Sequence, residues 1–230
     1  MKKDHVIALD GPSGSGKSTV AKLIAEKKGL IYIDTGSMFR SVGLALSEAN
    51  INFTEHPIDE DKIAQFFKDN KFDYAPSEGV LISFNGEDFT HKIREHHVSK
   101  LASQVSKLKV VRDFLADWQR RIVKDREAIL DGRDIGTVIF PHAFLKVFLT
   151  ASPEERATRR FEELKKRGEE NLDFQTILKD IKDRDFEDMN RQIAPLKKAE
   201  DAVLLDTTGK KIDDIVQDIV SLWDARKASL

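Results

Sequence analysis

The feature that most limits how this chain can fold is the run Gly11-Pro-Ser-Gly-Ser-Gly-Lys17-Ser18, which matches G-x-x-x-x-G-K-[ST]. Such a run has physical meaning only where a strand enters it and a helix leaves it. Both neighbours are readable. His5 to Asp10 (HVIALD) is a short apolar run of the kind buried in a parallel sheet, and Thr19 to Lys28 place Val20, Leu23 and Ile24 on one side of a helix. The glycines let the backbone curl until successive N–H groups point at one phosphate, and the helix adds its positive N-terminal end. The motif predicts a nucleotide site built from Gly11, Pro12, Ser13, Gly14, Ser15, Gly16, Lys17, Ser18 and Thr19. Within it Lys17 would reach the β and γ phosphates of ATP, and the Ser18 hydroxyl would help to hold Mg²⁺.

Four more runs read as strands: Leu30–Asp34, Glu127–Asp131, Phe144–Thr150 and Ala202–Asp206, with helical patterns between them. Strand–helix alternation predicts an α/β chain with a P-loop NTPase-type five-stranded parallel sheet flanked by helices. One stretch breaks the alternation. Val80–Phe84, then Asn85-Gly86, then Glu87–Thr90 is a hairpin signal, so residues 53–98 read as a small inserted α+β domain. A second excursion, 152–195, is helical and charged, with Arg156, Arg159, Arg160, Lys165, Lys166, Arg167, Arg184 and Arg191. It reads as a lid and the helix that follows. The core domain is then 1–52, 99–151 and 196–230. A length of 230 residues suits one core with a small insertion.

Lys and Arg total 38 against 40 Asp and Glu. That balance speaks against a nucleic-acid polymer as partner, so phosphate chemistry must come from locally placed Arg and Lys. The absence of cysteine excludes disulfides, thiolate nucleophiles and cysteine zinc sites. The apolar run near the N-terminus is too short for a signal or a membrane span, which predicts a cytoplasmic protein without a membrane partner. No long apolar stripe is left over, which predicts a monomer.

Three polar sets lie where open α/β sheets bind ligands. They are Asp34 to Arg40, Asp131-Gly-Arg133-Asp134, and Arg184-Asp185…Asp188…Arg191. Arg184, Asp188 and Arg191 are spaced i, i+4, i+7 and share a helix face. Several converging arginines imply more than one phosphate group. Asp131 is a candidate carboxylate for Mg²⁺. The plainer readings are that Asp131 only ends a strand and that the arginine face is a solvated ladder of ion pairs. His96 and His97 are adjacent, so they do not face one ligand and read as surface. Trp118 and Trp223 read as core.

The segments GPSGSGKST, DTGSMFR, ASQVSKLKVVRDFL, ILDGRDIGTVIFP, LTASPEERATRR and RDFEDMNRQIAPLKKAEDAVLLDTT occur in the order found in bacterial cytidylate kinases, and the resemblance spans essentially the whole chain. It implies a nucleoside monophosphate kinase that moves a phosphoryl group from ATP to CMP or dCMP with Mg²⁺. The insertion 53–98 resembles the enlarged monophosphate-binding domain of the longer bacterial members. Ser103, Arg112 and Asp134 match residues that read the cytosine edge. Arg40, Arg133 and Arg191 match holders of the acceptor phosphate, and Thr35 belongs to the same substrate set. Arg184 and Asp188 match contacts to the ribose. Arg156 and Arg160 would close on the transferring group, joining Lys17, Arg133 and Arg191 as the catalytic set. Ser37 and Phe39 depart from the usual Ala and Tyr of this family; neither change touches Arg40, so tuned affinity is expected.

No Ser/His/Asp constellation is evident, and none is needed, because an acceptor phosphate oxygen is already ionised at neutral pH. Uracil would turn its O4 acceptor toward Asp134 and should bind less well than cytosine. Other readings are a kinase for UMP or for another small acceptor such as shikimate or dephospho-coenzyme A, a P-loop switch or ATPase, and a non-catalytic nucleotide-binding module. A GTPase would need an N-K-x-D run, which is missing. Gly132 stands where a motor would place an acidic residue beside Asp131.

Overall fold

Val6, Ile7, Ala8 and Leu9 have no exposed surface, which is what a strand covered on both faces requires. They lie in β1 (Asp4–Asp10) of a computed structural model that describes residues 4–77, 79–166, 168–170 and 172–229. Arg167 lies outside the described residues, as does the side chain of His96. The chain divides into two units, Met1–Ile33 with Asp125–Leu230, and Asp34–Lys124.

In the first unit β1 leads to α1 (Lys17–Lys28) and β2 (Ile31–Asp34). After the second unit the chain returns with β6 (Ala128–Gly132), β7 (Ala143–Thr150), α6 (Pro153–Lys166), α7 (Phe174–Asn190), β8 (Val203–Asp206) and α8 (Ile212–Ala228). The five strands form one parallel sheet in the order β2-β6-β1-β7-β8. Ile7, Leu9, Val20, Ile24, Ile129 and Val220 pack in its core, and Phe144 meets Trp223 edge to face at 4.9 Å. Each such side chain contributes about 1.5–3 kcal/mol by leaving water. Leaving β1 the chain moves toward β2, and leaving β6 it crosses to β7. The crevice beyond β1 and β6 is therefore the place where a ligand fits such a sheet. The glycine-rich turn and Gly132-Arg133-Asp134 both sit there.

The second unit holds α2 (Thr35–Glu48), α3 (Glu60–Asp69), β3 (Phe72–Ser77), β4 (Val80–Phe84), β5 (Glu87–Asp88), α4 (His96–Val105) and α5 (Lys109–Val123). Strands β3, β4 and β5 form a small antiparallel sheet. Asn85 and Gly86 have φ of 50° and 86°, the two-residue turn with both central residues left-handed that matches strand twist. Three short strands need a partner to be stable. Phe67, Phe72, Phe84, Phe114 and Trp118 supply an aromatic core, with Phe67 and Phe114 stacked at 4.2 Å.

Both tryptophans are buried and His97 is exposed, as the sequence reading expects. Two local features differ. Helix α1 starts at Lys17 rather than Thr19, because the glycine turn passes directly into it. Ile135–Ile139 form a π-helical turn, an element that no periodicity in the sequence reveals. Among the described residues no helix is long and apolar enough to cross a membrane.

Candidate active site

Gly11 is required by its surroundings: an added Cβ would lie 2.0 Å from the Leu149 carbonyl oxygen. Gly14 and Gly16 take φ of 75° and 88°, which bends the loop over the start of α1. No side-chain bond caps α1 at Gly16, which leaves a helix N-terminus of the kind that receives an anion. Ser15 Oγ donates to the Pro12 carbonyl at 3.0 Å. Lys17 Nζ donates to the same carbonyl at 2.6 Å and to Ser15 Oγ at 3.3 Å. Burial, and after it the Arg133 charge, hold the Lys17 ammonium well below the usual lysine range. Thr19 sits exposed on the first turn of α1.

At the end of β6, Asp131 accepts from Ser18 Oγ at 2.6 Å and from the Tyr32 hydroxyl at 3.0 Å. Two residues on, Arg133 Nε donates to Asp188 Oδ2 on α7 at 2.8 Å. Arg191 places one guanidinium nitrogen 3.6 Å from Asp188 and another 3.6 Å from Asp134. Its Nε donates to the Ala194 carbonyl at 2.6 Å. Burial pushes the Asp188 carboxyl up, but the Arg133 charge and hydrogen bond, with Arg184 and Arg191, bring it below the usual range. The set Arg184, Asp188 and Arg191 is thus no solvated ladder, nor is it one helix face: α7 ends at Asn190, and Arg191 follows it in extended backbone. Its carboxylate is mostly buried between Arg133 and Arg191, while Arg184 lies exposed at the rim.

Asp10 underlies this cluster. Its two oxygens accept from the backbone N–H groups of Ile135 and Gly136 at 2.8 and 2.7 Å, the first two residues of the π turn after Asp134. Burial raises the Asp10 pKa to about 6, against the pull of those two N–H groups.

On α6, Arg156 is 3% exposed. Its Nε donates to the Ala151 carbonyl at 3.0 Å, one terminal nitrogen to the Ser13 carbonyl at 3.1 Å, and both to the Asp185 carboxylate. Arg160 instead lies on the surface and pairs with Glu163 at 2.9 Å. Arg159, to which the sequence reading gave no role, holds Thr207 through its carbonyl and its hydroxyl.

The second unit carries its own polar set. Asp34 caps α2 by accepting from the Ser37 N–H at 2.8 Å. Ser37 Oγ donates to Asp34 and accepts from Arg40 at 2.6 Å. Thr35 is buried in the first turn of the same helix. Arg112 is buried on α5 and donates to the Ser106 carbonyl at 3.0 Å. Ser106 in turn donates to the Ser103 carbonyl at 2.8 Å, which ties Ser103 to Arg112. The Arg112 guanidinium stands 5.4 Å from the centre of the Phe39 ring, a cation–π contact that needs no phenolic hydroxyl.

Ser18 and Asp131 offer one hydroxyl and one carboxylate, hard oxygens that suit Mg²⁺ carried mainly by phosphate and water. No group of three His, Cys, Asp or Glu among the described residues could hold a metal alone. Tyr32, Asp10 and Ser106 are site residues that the sequence does not single out. Asp10 was the one with a signal: a carboxylate inside a buried strand must find partners.

Residues 7–225 match the family model described as cytidylate kinase. The chain is 46% identical over 224 residues to the cytidylate kinase of Caldicellulosiruptor saccharolyticus, covering 97% of this chain and 96% of that one. It is 45% identical over 211 residues to the cytidylate kinase of Fusobacterium nucleatum, covering 92% and 93%. A bifunctional pantoate ligase/cytidylate kinase of Prochlorococcus marinus is 42% identical over 228 residues, which is 98% of this chain and 43% of that longer protein.

Proposed function

The chain belongs to the cytidylate kinase family, and from that premise we propose how its residues divide the transfer of the γ-phosphoryl group of ATP to CMP or dCMP. One observation carries the reading. Within a single unit, buried Lys17, the Ser18–Asp131 pair and the Arg133–Asp188–Arg191 cluster all gather at the crevice of the parallel sheet. Gly11, Pro12, Ser13, Gly14, Ser15, Gly16, Lys17, Ser18 and Thr19 take the phosphates of ATP. The Lys17 ammonium, disfavoured by burial, is favoured again beside those anions. Ser18 and Asp131 would hold Mg²⁺, which when bound screens phosphate charge.

Arg40, Arg133 and Arg191 neutralise the acceptor phosphate so that two anions approach each other. Ser103, Arg112 and Asp134 read the cytosine edge: carboxylate and hydroxyl take the amine, and the guanidinium serves the acceptors. Thr35, Arg184 and Asp188 complete the substrate set. Lys17, Arg133, Arg191 and Arg160 stabilise the transferring group, while Arg156 acts through the loop it holds. Residues 53–98 close on the acceptor nucleotide and 152–195 act as the lid, excluding the water that would otherwise take the phosphoryl group. The protein works as a cytoplasmic monomer on small molecules rather than on a nucleic-acid polymer or a membrane.

ADP release, measured with Mg²⁺-ATP and CMP, dCMP, UMP, AMP, GMP or shikimate, tests this reading. Fast turnover with CMP and dCMP and slow turnover with UMP is expected. ATP hydrolysis independent of acceptor would overturn it.

A further inference from the structure

Arg156 is buried, and its guanidinium joins three separate pieces of one unit. It reaches the phosphate loop at the Ser13 carbonyl, the end of the sheet at the Ala151 carbonyl, and α7 at Asp185. The loop rests directly on it, since a Cβ added at Gly14 would lie 3.2 Å from the Arg156 Cβ. Asp185 lies one turn from Asp188 on α7, and Asp188 accepts from Arg133. A continuous path of short contacts therefore runs from the loop through Arg156 and Asp185 along α7 to the Asp188–Arg133 pair. A bidentate guanidinium–carboxylate pair fixes orientation as well as distance, which a single hydrogen bond does not.

We propose that Arg156 and Asp185 are positioning residues that couple the two substrate sites: filling the phosphate loop sets α7 for the acceptor nucleotide, and the acceptor in turn tightens the loop. Such coupling is reciprocal, and its usual size is about 5- to 150-fold in affinity. The inference rests on the reading of Arg133, Asp188 and Arg191 as acceptor ligands.

The experiment measures the dissociation constant of a non-hydrolysable ATP analogue, by titration calorimetry, without and with saturating CMP. The native chain is expected to bind the analogue at least fivefold more tightly when CMP is present. Asp185→Asn keeps the shape but loses the charged fork. It should bring that ratio close to one while changing the affinity for each ligand alone by less than about threefold. Arg156→Lys, a second variant that keeps the charge and loses the fork, should likewise bring the ratio close to one. A purely structural role would lower thermal stability and leave the ratio intact, and that result would overturn the proposal, as would a native ratio of one. Failure of the native chain to bind CMP at all would instead overturn the acceptor reading itself.

Discussion

Ser18 and Asp131 share a hydrogen bond of 2.6 Å, so the last residue of the phosphate loop and the end of β6 form one pair of oxygens. The Tyr32 hydroxyl holds the other Asp131 oxygen at 3.0 Å, which fixes the carboxylate plane. An exposed strand end would leave that carboxylate free to rotate. Here it is preorganised.

Asp131→Asn should therefore raise the Mg²⁺ concentration needed for half-maximal turnover by about tenfold or more, because one charge leaves a site with two protein oxygens. Tyr32→Phe should shift the same midpoint by about threefold, the effect of losing one neutral hydrogen bond to the carboxylate. Turnover against Mg²⁺ at fixed ATP reads both. An unchanged midpoint in Asp131→Asn would remove Asp131 from the metal side.

Arg133→Ala should lower turnover with CMP by about 10³-fold, the scale of a lost arginine in phosphoryl transfer. It also leaves the mostly buried Asp188 without its 2.8 Å partner, so stability should fall by about 1–3 kcal/mol. The double variant Arg133→Ala/Asp188→Ala should recover part of that stability, because the unpaired carboxylate is gone, and none of the turnover. Recovery of both, followed by denaturant unfolding and by ADP release, would make the pair a stability device only.

The phosphate loop was legible because its chemistry is local: glycine spacing, one lysine and one hydroxyl between a strand and a helix. The same holds for the hairpin at Asn85-Gly86, where both φ angles are positive. The Arg184–Arg191 set was ambiguous for a physical reason. Spacing places Arg184, Asp188 and Arg191 together, but only the approach of β6 from 55 residues away buries Asp188 under Arg133. The resemblance assigns the Arg156 guanidinium to the transferring phosphoryl group. Its donors instead engage Ser13, Ala151 and Asp185, and no sequence period pairs residues 29 positions apart. The π turn after Asp134 has no sequence period of its own.

Gly11→Ala should cost about 4 kcal/mol or more, since its Cβ would meet the Leu149 carbonyl at 2.0 Å and backbone on both sides must move. Gly29→Ala supplies the comparison. Gly29 ends α1 at φ 66° with nothing within 4 Å, so its substitution costs only the left-handed strain, about 1–2 kcal/mol. Thermal unfolding of both variants measures the difference. Equal losses would mean that β1 and β7 yield at that point.

Ser37→Ala removes the hydroxyl that stands between Asp34 and Arg40. Arg40 keeps its 3.3 Å approach to Asp34 but loses its shorter partner. The KM for CMP should rise about fivefold with kcat little changed, the effect of one hydrogen bond to a charged group shared with a second acceptor. Phe39→Tyr keeps the ring beside Arg112 and should leave the CMP-to-UMP preference within about twofold. Loss of kcat in Ser37→Ala would place the hydroxyl in the transfer step itself.

Asp10 gives a pH dependence with a definite sign. Its pKa rises from 3.8 to about 6 on folding, chiefly through burial. Between those values the folded chain holds more protons than the unfolded one, so this group's contribution to stability falls as pH rises from about 4 to 6 and is flat above that. Asp10→Asn cannot titrate. The stability of the native chain minus that of the variant should thus decrease by on the order of 3 kcal/mol between pH 4 and pH 7. The amide also turns an N–H toward Ile135 or Gly136, where the carboxylate accepted from both. The turn that follows Arg133 and Asp134 is then held on one side only, and kcat/KM for CMP should drop by about tenfold or more at pH 7.5. Denaturant unfolding across the pH range reads the first effect and steady-state kinetics the second. A stability difference that grows with pH would mean that the two N–H bonds outweigh burial and keep Asp10 ionised throughout.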